Sequence, residues 1–138
     1  MKSKIKLFTS SIDDDNLESI ERDGYLPVFA IRNISRFSSI KRYSNTAVHF
    51  RNLAPSEKLM IDFKNNIINS KDFEKLYVIE LSNVSIQDII KKFEYLSESN
   101  NKKGVVIMTE DEGSYSTALS LVLKCSGYLI EPITKYDI

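Results

Sequence analysis

The stretch at residues 105–119, VVIMTEDEGSYSTAL, sets the reading of the whole chain. It opens with an uncharged, β-branched run, VVIMT, of the kind that fills a strand buried on both faces. A polar loop follows, and Gly113 and Ser114 then start a pattern that suits a helix. Gly127 is placed to stop that helix. Strand, polar loop and helix in that order make one βα unit. In open α/β sheets, ligands bind beyond the carboxyl ends of such strands.

The pattern repeats upstream. KIKLFTSS predicts a first strand over residues 4–9, and DDDNLESIERDG a short helix with early aspartates and a stop at Gly24. YLPVFAIR predicts a second strand over residues 26–32, apolar enough for burial on both faces. Residues 33–55 have no clean period, and loops of that length are uncommon in compact domains and often functional. Pro55 is expected in the first turn of the next helix, where Leu59, Met60, Phe63 and Ile67 share a face. DFEKLYVIELS fits either a helix or a strand. SIQDIIKKFEYLSES is an amphipathic helix with Ser85 at its N-cap. YLIEPI predicts a last strand, with Pro132 marking an edge. Strands alternating with helices give the expected fold: an α/β single three-layer domain, residues 1–138, with a mostly parallel sheet of about four to five strands flanked by helices.

Bulk properties narrow the function. The 138 residues suffice for one core, and 42% hydrophobic with 28% charged content is ordinary for a globular protein. Nineteen basic side chains balance 19 acidic ones, so no global field favours nucleic acid or an acidic membrane. No stretch approaches the roughly 20 apolar residues of a membrane span. The single cysteine, Cys125, excludes an intramolecular disulfide and suits a reducing, cytoplasmic setting. Among Val122 and Leu123 it reads as a small core residue. No phosphate-loop, dinucleotide, nucleophile-elbow or paired-histidine zinc motif is present, and no metal site or cofactor is expected.

The carboxyl-end rule selects Thr9, Ser10 and Ser11 after the first strand, Arg32 and Asn33 after the second, and residues 109–116 after the third. In the last group Thr109, Glu110, Gly113, Ser114, Tyr115 and Ser116 are the candidates. A helix N-terminus offers free N–H groups there, with Ser114 or Ser116 either capping the helix or holding a ligand hydroxyl or phosphate. Glu110, Asp111 and Glu112 argue against a bare phosphate at that turn and for a sugar hydroxyl or an amine. Arg32 either pairs with a carboxylate such as Glu110 or clamps an anionic ligand. His49, the only histidine, needs Ser10, Ser11 or a carboxylate within reach to act as a general base. Arg36, Lys41, Arg42 and Arg51, interleaved with Phe37, Tyr43 and Phe50, form either a solvated loop or a grip on a nucleotide.

Five short segments, taken in order, resemble the domain-of-unknown-function 488 family: LFTSS, PVFAIR, YSNTAVHFRNLAPS, VVIMTEDEGSYSTALSLVL and GYLIEPI. The resemblance implies a small cytoplasmic α/β protein of a family whose activity is not established. That family's signature after the third strand is a cysteine and glutamate, then a cysteine-histidine-arginine group at the helix start. Here Met108 or Thr109 stands at the cysteine, Glu110 is kept, and Ser114, Tyr115 and Ser116 replace the reactive group. The resemblance therefore carries over Thr9, Ser10, Arg32 and Glu110 as a pocket edge without the reactive group.

Three functional classes follow. The first is a protein that binds a nucleotide or nucleotide-derived signal at the sheet edge, for instance a phage or mobile-element protein that sequesters a host signal. The second is a hydrolase or transferase acting on a nucleoside or glycosidic bond, with Glu110 as its catalytic residue and Asp111 or Glu112 as the second carboxylate. The third is a protein-interaction module that self-associates through apolar helices as a homo-oligomer.

Overall fold

The computed structural model of the chain describes residues 3–12, 14–32, 48–110, 113–129 and 133–136. Five parallel strands form one sheet in the order β3-β2-β4-β1-β5. They are β1 (Leu7–Ser11), β2 (Leu26–Phe29), β3 (Val48–His49), β4 (Val105–Thr109) and β5 (Thr134–Lys135). The helices among the described residues are α1 (Asp14–Arg22), α2 (Glu57–Lys64), α3 (Ser70–Leu81), α4 (Ile86–Ser99) and α5 (Ser114–Cys125). The expected three-layer α/β domain is what forms.

Strand β4 lies at the centre, and all five of its residues are fully buried. Its side chains alternate between two cores, as the two-residue period of a strand requires. Val105 and Ile107 join Leu7, Leu26 and Val28 beneath α2, α3, α4 and α5. Val106 and Met108 join Phe29, Ile31 and the α1 residues Leu17 and Ile20 on the opposite face. Among the described residues, one helix thus covers one face and four cover the other.

Pro27 stands inside β2, a strand flanked on both sides. The amides of Leu26 and Ala30 point towards β4, donating to Gly104 and Met108 at 3.0 Å each. The proline nitrogen therefore faces β3, one residue before the Val28–Val48 pairing begins, so the missing N–H costs no ladder bond.

The ambiguous DFEKLYVIELS is helical. Asn69 caps α3 by accepting the Asp72 amide at 2.8 Å, and Phe73, Tyr77 and Leu81, spaced by four, face the core. Pro55 precedes α2 rather than opening it, because Ser56 takes the N-cap and accepts the Leu59 amide at 3.3 Å. Ile67 leaves the expected helix face: α2 ends at Lys64, Asn66 turns left-handed at φ 60°, and Ile67 is exposed. Gly24 and Gly127 follow their helices at φ 87° and 78°, as their stop positions predict.

Strand bounds also shift. β1 runs to Ser11 and β2 stops at Phe29. The last strand starts as an isolated Ser3–Leu129 bridge and resumes in the same register as β5, while Pro132 lies outside the described residues. Cys125 is not a core residue: it closes α5 on the surface. Among the described residues no helix is long and apolar enough to cross a membrane.

Candidate functional site

Strands β1 and β4 are neighbours whose chains leave on opposite faces, into α1 and α5. Such a switch in direction normally opens a crevice. Here the two strand ends are bonded to each other and to α1. The Ile12 amide donates to the Thr109 carbonyl at 3.1 Å. Asn16 of α1 donates to Ser10 Oγ at 3.1 Å and to the Ser11 carbonyl at 3.0 Å. Thr9, Ser10 and Thr109 are buried. These polar groups serve the fold.

The cleft lies one strand over, beyond the ends of β2 and β4, with a volume of about 420 Å³. Arg32 and Glu110 come from the two strand ends, and Tyr115 from the first turn of α5. Arg51, Ala54 and Pro55 line it from the segment leading to α2. Helix α2 forms the outer wall with Glu57, Met60, Ile61 and Lys64. Its volume falls at the small end of the range typical of ligand sites, about 300–1,000 Å³.

The wall is pinned residue by residue. Tyr77 donates its hydroxyl to the Leu53 carbonyl. Arg32 donates through Nε to the Pro55 carbonyl at 2.8 Å and through Nη2 to the Ala54 carbonyl at 3.1 Å. Glu80 accepts the Ser56 amide at 2.7 Å and also its hydroxyl. Residues 53 to 56 are thus each held by a side chain from outside the segment. On the other side of Arg32, Tyr115 donates its hydroxyl to the Ala30 carbonyl. The rings of Tyr77 and Tyr115 meet edge to face, centroids 5.3 Å apart. Burial first, then the neighbouring Tyr115 and Glu80, pushes the Tyr77 hydroxyl well above the ordinary tyrosine range, so it stays a donor.

Three cations and two carboxylates face the cleft. Lys64 Nζ lies 3.3 Å from Glu110 Oε2, the lysine side chain 46% exposed and the glutamate 16%. Arg32 is half-buried and bonds neutral carbonyls; among the described residues it forms no ion pair. The sequence left open whether Arg32 pairs with Glu110; among the described residues the cation that pairs with Glu110 is Lys64.

The sequence candidates divide in two. Arg32, Arg51, Glu110 and Tyr115 meet in the cleft; Thr9, Ser10, Ser11 and Thr109 do not line it. His49 sits exposed on β3, at the sheet edge away from β1, with Nε2 on the Ile31 carbonyl and not on Ser10 or Ser11. Gly113 takes the N-cap of α5, so neither serine caps it: Ser114 starts the helix and Ser116 is buried. Asn33, Asp111, Glu112 and the basic positions Arg36, Lys41 and Arg42 lie outside the described residues. Lys64 and Glu57 escaped the sequence reading. Their only signal was a polar stripe on α2, which reads as a solvated face. Among the described residues no cluster of metal-ligating side chains occurs.

No family model, curated protein or solved structure matches the chain.

Proposed function

We propose that the protein binds a small anionic ligand of the nucleotide type in the cleft between α2 and the ends of β2 and β4. The observation that carries this reading is Arg32. A half-buried guanidinium without a carboxylate partner among the described residues retains its attraction for an anion, and its planar fork suits phosphate or carboxylate. Its carbonyl bonds hold the group in place before the ligand arrives, which lowers the cost of ordering. Arg51 and Lys64 add charge, while Met60 and Ile61 offer an apolar surface to the rest of the ligand. Of the positions carried over from the domain-of-unknown-function 488 resemblance, Arg32 and Glu110 line this cleft, and a cytoplasmic sequestering protein fits this reading.

A thermal-shift screen of the purified protein against nucleoside mono-, di- and triphosphates, cyclic nucleotides and ADP-ribose tests it. A ligand at 100 times its Kd stabilises the native state by about 2.7 kcal/mol. A shift with one compound class, and intact compound recovered by chromatography, supports binding. Recovery of an altered compound supports the hydrolase reading with Glu110 as its catalytic residue; Asp111 and Glu112 lie outside the described residues, and Glu57 is the other described carboxylate that lines the cleft. Absence of any shift removes both.

The interaction reading is favoured by a different observation. Ile79 on α3 and Leu121 on α5 are 60% and 51% exposed, on two helices that pack together. Sedimentation of the ligand-free protein at increasing concentration tests self-association.

A further inference from the structure

The Lys64–Glu110 pair spans the cleft from its outer wall to its floor. Lysine 64 is on a long flexible stem and nearly half exposed. Glu110 directly follows a fully buried strand and is mostly covered. Lys64 is thus the longer and more exposed of the two partners. An anion entering between Arg32, Arg51 and Lys64 competes with Glu110 for the ammonium. Phosphate oxygens, acceptors at neutral pH, give nothing back to the carboxylate, whereas a hydroxyl donates to it. A carboxylate with two oxygens matches two adjacent hydroxyls.

We propose that Glu110 makes the cleft selective for a phosphorylated ligand that also carries free vicinal sugar hydroxyls, through exchange of Lys64 onto the phosphate and of the hydroxyls onto Glu110. This rests on the anion-binding reading and names its ligand class. The volume of about 420 Å³ accommodates one nucleotide unit and is small for a polymer segment. Met60 and Ile61 then face the base. Inorganic phosphate pulls Lys64 from Glu110 without replacing it and binds weakly. A nucleoside alone must break the ion pair with no anion to reward the lysine. Phosphate and diol therefore bind cooperatively when joined in one molecule.

Titration calorimetry on the full chain tests the exchange. The probes are the four ribonucleoside 5′-monophosphates, their 2′,3′-dideoxy analogues, ribose 5-phosphate and inorganic phosphate. Wild type is expected to favour at least one ribonucleotide over its dideoxy analogue by about tenfold or more, the range of a hydrogen bond to a charged group. Glu110→Gln is expected to erase most of that preference and to bind inorganic phosphate more tightly, because Lys64 is released. Lys64→Gln is expected to weaken all phosphates while keeping the hydroxyl preference. Ribose 5-phosphate matching the nucleotides would assign the selectivity to the sugar and support the exchange. Phosphates that bind through Arg32 with equal affinity for ribo and dideoxy forms would overturn the exchange alone. If no phosphorylated probe binds, the exchange and the anion-binding reading fall together.

Discussion

Arg32 Nε donates to the carbonyl of Pro55 at 2.8 Å, across 23 residues of chain. That bond, with its companion to Ala54, ties the end of β2 to the wall of the cleft. The guanidinium proposed as the ligand anchor also holds the wall of the cleft in place. Arg32→Ala leaves two carbonyls without their donor, and each lost bond of this kind costs about 1–3 kcal/mol when the acceptor stays buried. Urea denaturation is expected to show a loss of about 2–6 kcal/mol for the two bonds, and Arg32→Lys to recover only part of it, because one ammonium cannot reproduce the fork. A variant as stable as wild type would mean the strut is not load-carrying.

Tyr77→Phe removes the donor to the Leu53 carbonyl without opening a cavity. The expected destabilisation is about 1–3 kcal/mol, read from the denaturation midpoint. Its pH dependence is more specific. The unfolded chain releases the Tyr77 proton near pH 10, the ordinary tyrosine value. Burial holds that proton on the native hydroxyl well above it. The contribution is fully present below pH 10 and is lost as pH rises beyond it, at about 1.4 kcal/mol per pH unit. The alkaline limb of the stability curve is expected to be shallower in Tyr77→Phe by about that slope. Identical limbs would contradict the assignment.

Gly104 directly precedes β4, where a Cβ would sit 2.4 Å from the Lys6 carbonyl oxygen. That contact is backbone against backbone, and a shift of β1 against β4 disturbs the centre of the sheet. Gly104→Ala is expected to cost about 1–3 kcal/mol, as overpacking does. Gly127→Ala meets open space and carries only the strain of its φ of 78°, about 1–2 kcal/mol. Thermal melts of the two variants compare steric overlap with backbone strain; a harmless Gly104→Ala would show that the strands separate more freely than their register implies.

The ion pair across the cleft contributes little to stability. Lys64 is half exposed, and such pairs are worth about 0–1 kcal/mol and weaken with salt. Lys64→Gln is expected to leave the melting temperature almost unchanged while altering anion affinity. A loss of several degrees would reassign the pair to the fold.

Much of this architecture is legible in the sequence because burial on both faces leaves a plain mark. VVIMT reads as a central strand since it carries no charged side chain, and Gly24 and Gly127 announce left-handed turns that other residues strain to adopt. The ambiguous α3 was hidden because Leu76 and Ile79 put apolar side chains on its exposed face and blur the helical period. The site was half legible. Arg32 and Glu110 follow from the carboxyl-end rule, but the rule alone cannot choose between the two gaps beside β4. The Ile12 amide bridges the gap at β1 to the Thr109 carbonyl while Asn16 bonds the end of β1, and nothing in DDDNLESIERDG distinguishes that asparagine from any polar residue of an exposed helix. Lys64 and Glu57 enter the site only because α2 folds back over the sheet.

The central claim is that Arg32 anchors an anionic ligand in the cleft. The most direct measurement is the affinity of the best nucleotide from the thermal-shift screen for three proteins: wild type, Arg32→Gln, and Arg22→Gln on the exposed end of α1 as a charge-matched control. Circular dichroism confirms that each is folded at the temperature of the titration. Affinity at least about tenfold weaker in Arg32→Gln, with Arg22→Gln equal to wild type, is the result expected when a charge-assisted bond is lost. Equal affinity in folded Arg32→Gln and wild type would place the ligand elsewhere and contradict the account.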